Sequence, residues 1–281
     1  MSNVNRNRRD EGVLLNPPKL SKCNEKKVLP DAGSQKVMFP GHKDEAGVTE
    51  WSIRRREVKE AVYLYRDNLY KFSRERRKKC KDGTHWSDHL MAAKLLGKQG
   101  RWVNRSKQFG HVPGIRIGDE FLWRAELKIV GLHHQFINGI DYMRLPNEKI
   151  LATSIVDSGR YANGVGSFNT LVYCGQGENP NVQTGSGKLK DQKLERGNLA
   201  LKNNMEAKVP VRVIRKYKKN SVGCASMGAR TMKKTEGYKY VYDGLYFVDS
   251  LWKERGSFGK MVFKFLLKRI PGQLDLNWRK L

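Results

Sequence analysis

A succession of short apolar runs constrains this chain more than any other feature. After Val112-Pro113-Gly114 they fall at 123–129, 150–156, 168–173, 209–217, 238–248 and 261–269, interrupted by one helical stretch, 197–205. In the first, Trp123, Ala125, Leu127 and Ile129 alternate with Arg124, Glu126 and Lys128; in the last, Phe263, Phe265 and Leu267 alternate with Lys264, Leu266 and Lys268. Period two places successive side chains on opposite faces of a strand. Several strands without a regular alternation of helices argue against a doubly wound design and predict an α+β fold on a mixed, curved sheet or barrel. Arg255-Gly256-Ser257 supplies a turn before the last strand.

The chain upstream has a different texture. Residues 1–45 are polar, carry prolines at 17, 18, 30 and 40 and lack apolar periodicity, as in a disordered basic arm. From 51 to 79, Val58, Val62, Tyr65, Leu69 and Phe72 recur at helical spacing, while Arg54, Arg55, Arg56, Lys59, Arg66 and Arg74 fall mostly on other faces. The cluster Arg76-Arg77-Lys78-Lys79 near its end complements the helix dipole or, in a sharper reading, serves nuclear import or phosphate contact. A second helix is expected over 87–96, with Ser87 as cap and Gly97 as stop. The expected organisation is therefore an arm (1–45), a helical extension (46–108) and a β-rich domain (109–281).

Lys and Arg number 55 against 28 Asp and Glu, a net charge of +27, which makes nucleic acid the first partner to consider. No apolar run approaches the roughly 20 residues of a membrane-spanning helix, and the N-terminus lacks a signal-peptide core, so no membrane association is expected. Cys23, Cys80, Cys174 and Cys224 are far apart, which signals neither zinc nor a disulfide framework and suits a reducing compartment. Gly185-Ser186-Gly187-Lys188 fails as a P-loop because Val182 and Leu189 stand where glycine and Ser or Thr are needed. His133-His134 read as polar loop residues without a ligand set around them. No assembled nucleophile, base, metal or cofactor site is legible, and no catalytic residue is named.

Two stretches carry binding chemistry. Residues 152–177 read as two strands joined by a glycine-rich loop in which Tyr161 and Asn163 face Tyr173 across the connection. Two aromatic faces and an amide suit a flat heterocycle; an ordinary loop with two surface tyrosines is the alternative. The loop 131–139 ends in Phe136-Ile137, either a wedge between bases or part of the core. Beyond 175, Lys188 and Lys190 either grip a phosphate backbone or lie on a solvated loop.

Taken in order, several motifs resemble the SRA, or YDG, domain, and in particular its version in plant histone-lysine methyltransferases of the suppressor-of-variegation type. They are Gly118-Asp119-Glu120-Phe121 after Val112-Pro113-Gly114, Gly131-Leu132-His133, Gly139-Ile140-Asp141-Tyr142, Tyr173-Cys174-Gly175-Gln176-Gly177, Asp191-Gln192-Lys193-Leu194, Gly197-Asn198-Leu199-Ala200-Leu201, a run from Pro210 to Arg215, and Tyr242-Asp243-Gly244. The resemblance implies a twisted β-barrel of SRA/PUA-like type flanked by helices, which binds double-stranded DNA and flips 5-methylcytosine into a pocket. By that likeness Tyr161 and Tyr173 are the stacking tyrosines, Ile137 is the thumb that fills the vacated space, Gly139 lies close to the backbone, and the segment with Lys188 and Lys190 is a finger toward the opposite strand. This sequence departs from the pattern at Gly164, where an aspartate is usual and Asn163 precedes it, at Arg160 in place of glycine, and at Cys174 in place of threonine. The implied protein is a non-enzymatic nuclear reader of methylated DNA with altered base selectivity; the alternative is a chromatin module that binds histones with a degenerate pocket. No SET or RING partner follows in these 281 residues, so methyltransferase or ligase activity is not expected.

Overall fold

The computed structural model describes residues 49–79, 86–158, 169–177, 190–218, 237–256 and 259–276, all within one compact unit. Four helices and seven strands follow in the order α1 (Glu50–Lys79), α2 (Trp86–Lys98), β1 (Glu120–Phe121), α3 (Arg124–Ile129), β2 (Ile140–Arg144), β3 (Ile150–Asp157), β4 (Thr170–Cys174), α4 (Arg196–Ala207), β5 (Val211–Lys218), β6 (Tyr238–Arg255) and β7 (Met261–Arg269). The predicted basic arm lies outside the described residues.

Helix α1 starts where the Thr49 hydroxyl accepts the Ser52 amide at 3.2 Å, an N-cap. Its stripe Val58, Ala61, Tyr65 and Leu69 is buried against Ala92, Ala93 and Leu96 of α2 and against α3. Three arginines on α1 reach carboxylates beyond the helix: Arg55 pairs with Asp119, Arg66 with Glu126, and Arg76 with Asp88. Helix α2 begins at Trp86 and runs through Gly97 to Lys98, so the expected cap and stop are both displaced. Ser87 instead accepts Arg76 Nη2 at 2.6 Å, and Gly97 makes room for the Trp102 indole, which a Cβ would meet at 3.0 Å.

The sheet order is β2-β3-β5-β6-β7-β4, with β1 on β6; β3 and β5 are parallel and the other pairs antiparallel. It is the expected mixed sheet of an α+β fold, yet among the described residues its ends, β2 and β4, share no ladder. Alternate side chains feed two cores. Val156, Ile214 and Tyr242 join the cluster built by α1, α2 and α3, whereas Ile155, Val213, Tyr246 and Phe265 join Ala200 and Leu201 of α4. Buried Asn204 docks α4 on β3 by accepting the Ala152 amide at 2.6 Å and donating to the Ala152 carbonyl at 2.9 Å.

The predicted strand over 123–129 is not one: residues 124–129 form α3. Alternation marks a strand only if the polar set faces water, and here Glu126 is fully buried, accepting Arg66 Nε at 2.8 Å and the Leu122 amide at 2.7 Å. A partner sixty positions away turns the polar position into an interior one.

The Tyr242-Asp243-Gly244 motif is architectural. Asp243 is the extra residue of a bulge where the register passes from Val213↔Gly244 to Ile214↔Tyr242. Its Oδ2 accepts Arg215 Nε at 2.6 Å and the Tyr246 hydroxyl at 2.7 Å, and its carbonyl accepts Arg269 Nε at 3.2 Å, so one residue knits β5, β6 and β7. Gly244 sits at φ +110°, where glycine is favoured.

Candidate nucleic-acid interface

Strand β4 carries Tyr173 into the α4-side core, with only 5% of its surface exposed. It is therefore no surface tyrosine. Its hydroxyl reaches Gly139 at the entry to β2, where an added Cβ would stand 2.5 Å from that oxygen. The next residue along the strand faces the other way. Cys174 lies against Gln192, whose Nε2 is 3.8 Å from its sulfur, and burial raises its pKa, so the thiol stays protonated and supports the strand from behind. Tyr173 and Gly139 are thus brought together, and Cys174 is not brought to them. Arg160, Tyr161, Asn163, Gly164 and Lys188 lie outside the described residues.

Three amides fix the strand's end. Oriented by the donors it faces, the Gln176 side-chain oxygen accepts Ile140 N at 2.8 Å and Gly139 N at 3.0 Å, bridging the gap between the sheet's two ends. Asn198 at the start of α4 accepts Gln176 N at 2.8 Å and donates to Gln176 O at 2.9 Å and Lys193 O at 2.8 Å. Gln192 donates to Gly175 O at 2.8 Å and accepts Phe263 N at 2.9 Å. Gly177, the last described residue before 178, packs against Gln192, and Lys190 is exposed two positions before that glutamine. Sequence reasoning missed these amides, although their glycine neighbours in Gly175-Gln176-Gly177 and Gly197-Asn198 signal close packing around a polar side chain.

The loop between α3 and β2 holds Ile137 outward, 70% exposed, while Phe136 turns back onto the helical core with Lys128 Nζ 4.4 Å from its ring centroid. Its frame is polar. Arg124 donates to the Asn138 carbonyl and, at 3.4 Å, to that of Gln135. His133 is fully buried, not a polar loop residue: its Nδ1 shares a hydrogen bond with the Ser154 hydroxyl at 2.8 Å, and its Nε2 lies 2.9 Å from Asn138 O and 3.0 Å from Arg124 Nη2. Burial, helped by the nearby Arg124 charge, lowers its pKa to about 3 and keeps it neutral. Asp141 accepts the His134 amide at 2.9 Å and Lys107 Nζ at 2.7 Å. Burial opposes its charge, but the His134 ring, whose Nδ1 is 3.4 Å away, together with His133, Lys107 and the His134 amide outweighs it and holds its carboxyl well below the usual range. The arrangement is a rigid polar base under one exposed apolar tip, beside a buried tyrosine. Among the described residues no group of His, Cys, Asp or Glu could hold a metal ion, and no helix is long and apolar enough to cross a membrane.

Known proteins share this framework. The SAD/SRA domain matches residues 108–273. The H3 lysine-9 specific histone-lysine N-methyltransferase SUVH5 of Arabidopsis thaliana is 42% identical over 229 residues, 80% of this chain and 28% of that protein. The YDG domain-containing protein At5g47150 of the same plant is 39% identical over 228 residues, 79% of this chain and 64% of that one. In a crystal structure of the SUVH5 SRA with fully methylated CG DNA, the match is 46% identical with a TM-score of 0.50, covering 61% of this chain and all of that one. This chain thus spans under a third of the methyltransferase, and the match over residues 108–273, which includes the Tyr242-Asp243-Gly244 bulge, makes it a member of the SAD/SRA domain family.

Proposed function

We propose that this protein is a nuclear, non-enzymatic reader of double-stranded DNA that turns 5-methylcytosine out of the helix into a pocket bounded by Tyr161 and Tyr173, while Ile137 enters the space the base leaves. One observation carries the reading: an exposed Ile137 stands on a braced loop that ends at Gly139, against the hydroxyl of the buried Tyr173. A family relative solved with fully methylated CG DNA supports it. Residues 109–281 carry the function and 46–108 brace them.

Selectivity is set by balance. Turning out a base costs a few kcal/mol, and stacking returns roughly 1–3 kcal/mol. With Gly164 in place of a charged acceptor, about 1.5–3 kcal/mol of edge recognition is forfeited and Asn163 supplies a neutral partner. The methyl preference is accordingly modest beside a strong, salt-sensitive backbone affinity from the +27 charge. Titration of matched duplexes with and without 5-methylcytosine at fixed salt tests the reading: tighter binding to the methylated duplex, lost in Ile137→Ala, is expected. Equal affinity of the unaltered protein for both duplexes would refute methyl reading.

A further inference from the structure

We propose that the outer face of α1 is a second contact surface for the phosphate backbone of duplex DNA, separate from the base pocket. Apart from Arg54 and Lys71, which pair along the helix itself, the described cationic side chains of α1 fall into two sets. Arg55, Arg66 and Arg76 face the body and pair with Asp119, Glu126 and Asp88, so the fold uses them. Arg56, Lys59, Arg74 and Lys78 are exposed on the opposite face, and among the described residues none of them has an ion-pair partner. Of the carboxylates along α1, Glu57 pairs with Arg54, Glu60 with Arg101 and Asp67 with Lys71, and exposed Glu75 beside Arg74 offsets the four cations only in part.

Between the two cationic ends stand Tyr63, 69% exposed, and Tyr70, 39% exposed, seven positions apart and hence on the same face. The spacing of Arg56, Lys59, Tyr63, Tyr70, Arg74 and Lys78 makes one stripe about 33 Å long at 1.5 Å per residue. Like charges at i,i+3 and i,i+4 weaken an isolated helix by a few tenths of a kcal/mol each, so the stripe works against folding. A row of cations with phenolic donors between them complements a phosphate backbone, which accepts from Arg, Lys and Tyr without reading sequence. Because α1 packs on the core of Val156, Ile214 and Tyr242, whereas Tyr173 belongs to the other core, the stripe and the pocket are served by different sides of the sheet.

The test uses the full chain and an unmethylated duplex, titrated over a series of KCl concentrations. Each lost phosphate contact removes roughly 0.9 from the slope of log K against log salt, so Arg56→Gln, Lys59→Gln, Arg74→Gln and Lys78→Gln together should reduce it by about 3.6. Gln keeps helix propensity, and a second variant, Tyr63→Ser with Tyr70→Ser, should weaken binding while leaving all charges in place. The ratio of affinities for methylated and unmethylated duplexes should not move in either variant. An unchanged slope in the quadruple variant overturns the proposal, as does loss of binding to phosphatidylserine vesicles with the DNA slope intact. If Ile137→Ala leaves methyl preference untouched while the quadruple variant lowers the slope, the base-reading function fails and the α1 surface stands.

Discussion

Gly139 leaves the space that the hydroxyl of Tyr173 occupies: a Cβ there would lie 2.5 Å from the phenolic oxygen but 3.8 Å from Cζ. The backbone at Gly139 has no positive φ, so the position needs glycine for room and not for conformation. Gly139→Ala is expected to cost about 1–3 kcal/mol by overpacking and to shift the tyrosine ring. In a double-mutant cycle monitored by urea unfolding, Tyr173→Phe should recover most of that loss, because the remaining contacts are ordinary. Additive losses would mean that the glycine answers to some other neighbour.

Arg124 holds the carbonyls of Gln135 and Asn138 on either side of the exposed tip. Arg124→Gln should lose about 0.5–1.5 kcal/mol per hydrogen bond, speed amide exchange at 135–138 and lower methyl preference several-fold. Arg124→Lys, which retains the charge but not the forked geometry, should recover only part of this. Unaltered exchange at those amides in Arg124→Gln would show that His133 alone sets the loop.

His133 makes stability depend on pH. Its pKa is about 3 when folded against 6.5 in an ordinary imidazole, so the unfolded chain binds the extra proton. Its contribution is complete above about pH 6.5 and drains away as the pH falls toward 3, at about 1.4 kcal/mol per pH unit. His89 and His111, also lowered by burial, act in the same direction. His133→Asn should therefore flatten the profile of unfolding free energy between about pH 4 and 6 by nearly one proton's slope, and no flattening would contradict a neutral buried imidazole.

Asp243 joins Arg215, Tyr246 and Arg269 across three strands. Burial opposes the Arg215 charge, but Asp243 and Tyr246 more than offset it and raise the pKa of the guanidinium. Asp243→Asn should cost about 3–5 kcal/mol by removing the buried carboxylate that Arg215 and Arg269 share, whereas Tyr246→Phe should cost only about 0.5–1.5 kcal/mol. Comparable losses in chemical denaturation would shift the role from charge pairing to packing.

The amino-acid sequence by itself determined the long amphipathic α1 and the strands expected at 150–156, 209–217 and 261–269, because each follows from local periodicity and turn chemistry, while the fold decided that Ile137 is exposed and Phe136 is packed. The ordered motifs carried the family, whereas the contact of Tyr173 with Gly139 was supplied by the fold. Tertiary structure decided what depends on partners distant in the chain. Residues 124–129 alternate like a strand and fold as α3 because Arg66 neutralises Glu126 in the interior; His133 is buried because Ser154 and the Asn138 carbonyl satisfy both ring nitrogens. Tyr173 and Cys174, adjacent in the sequence, part company because a pleated strand sends one side chain toward Gly139 and the other toward Gln192. Local pattern specifies the backbone's preference, while burial of a polar group waits on a partner that only the folded chain supplies.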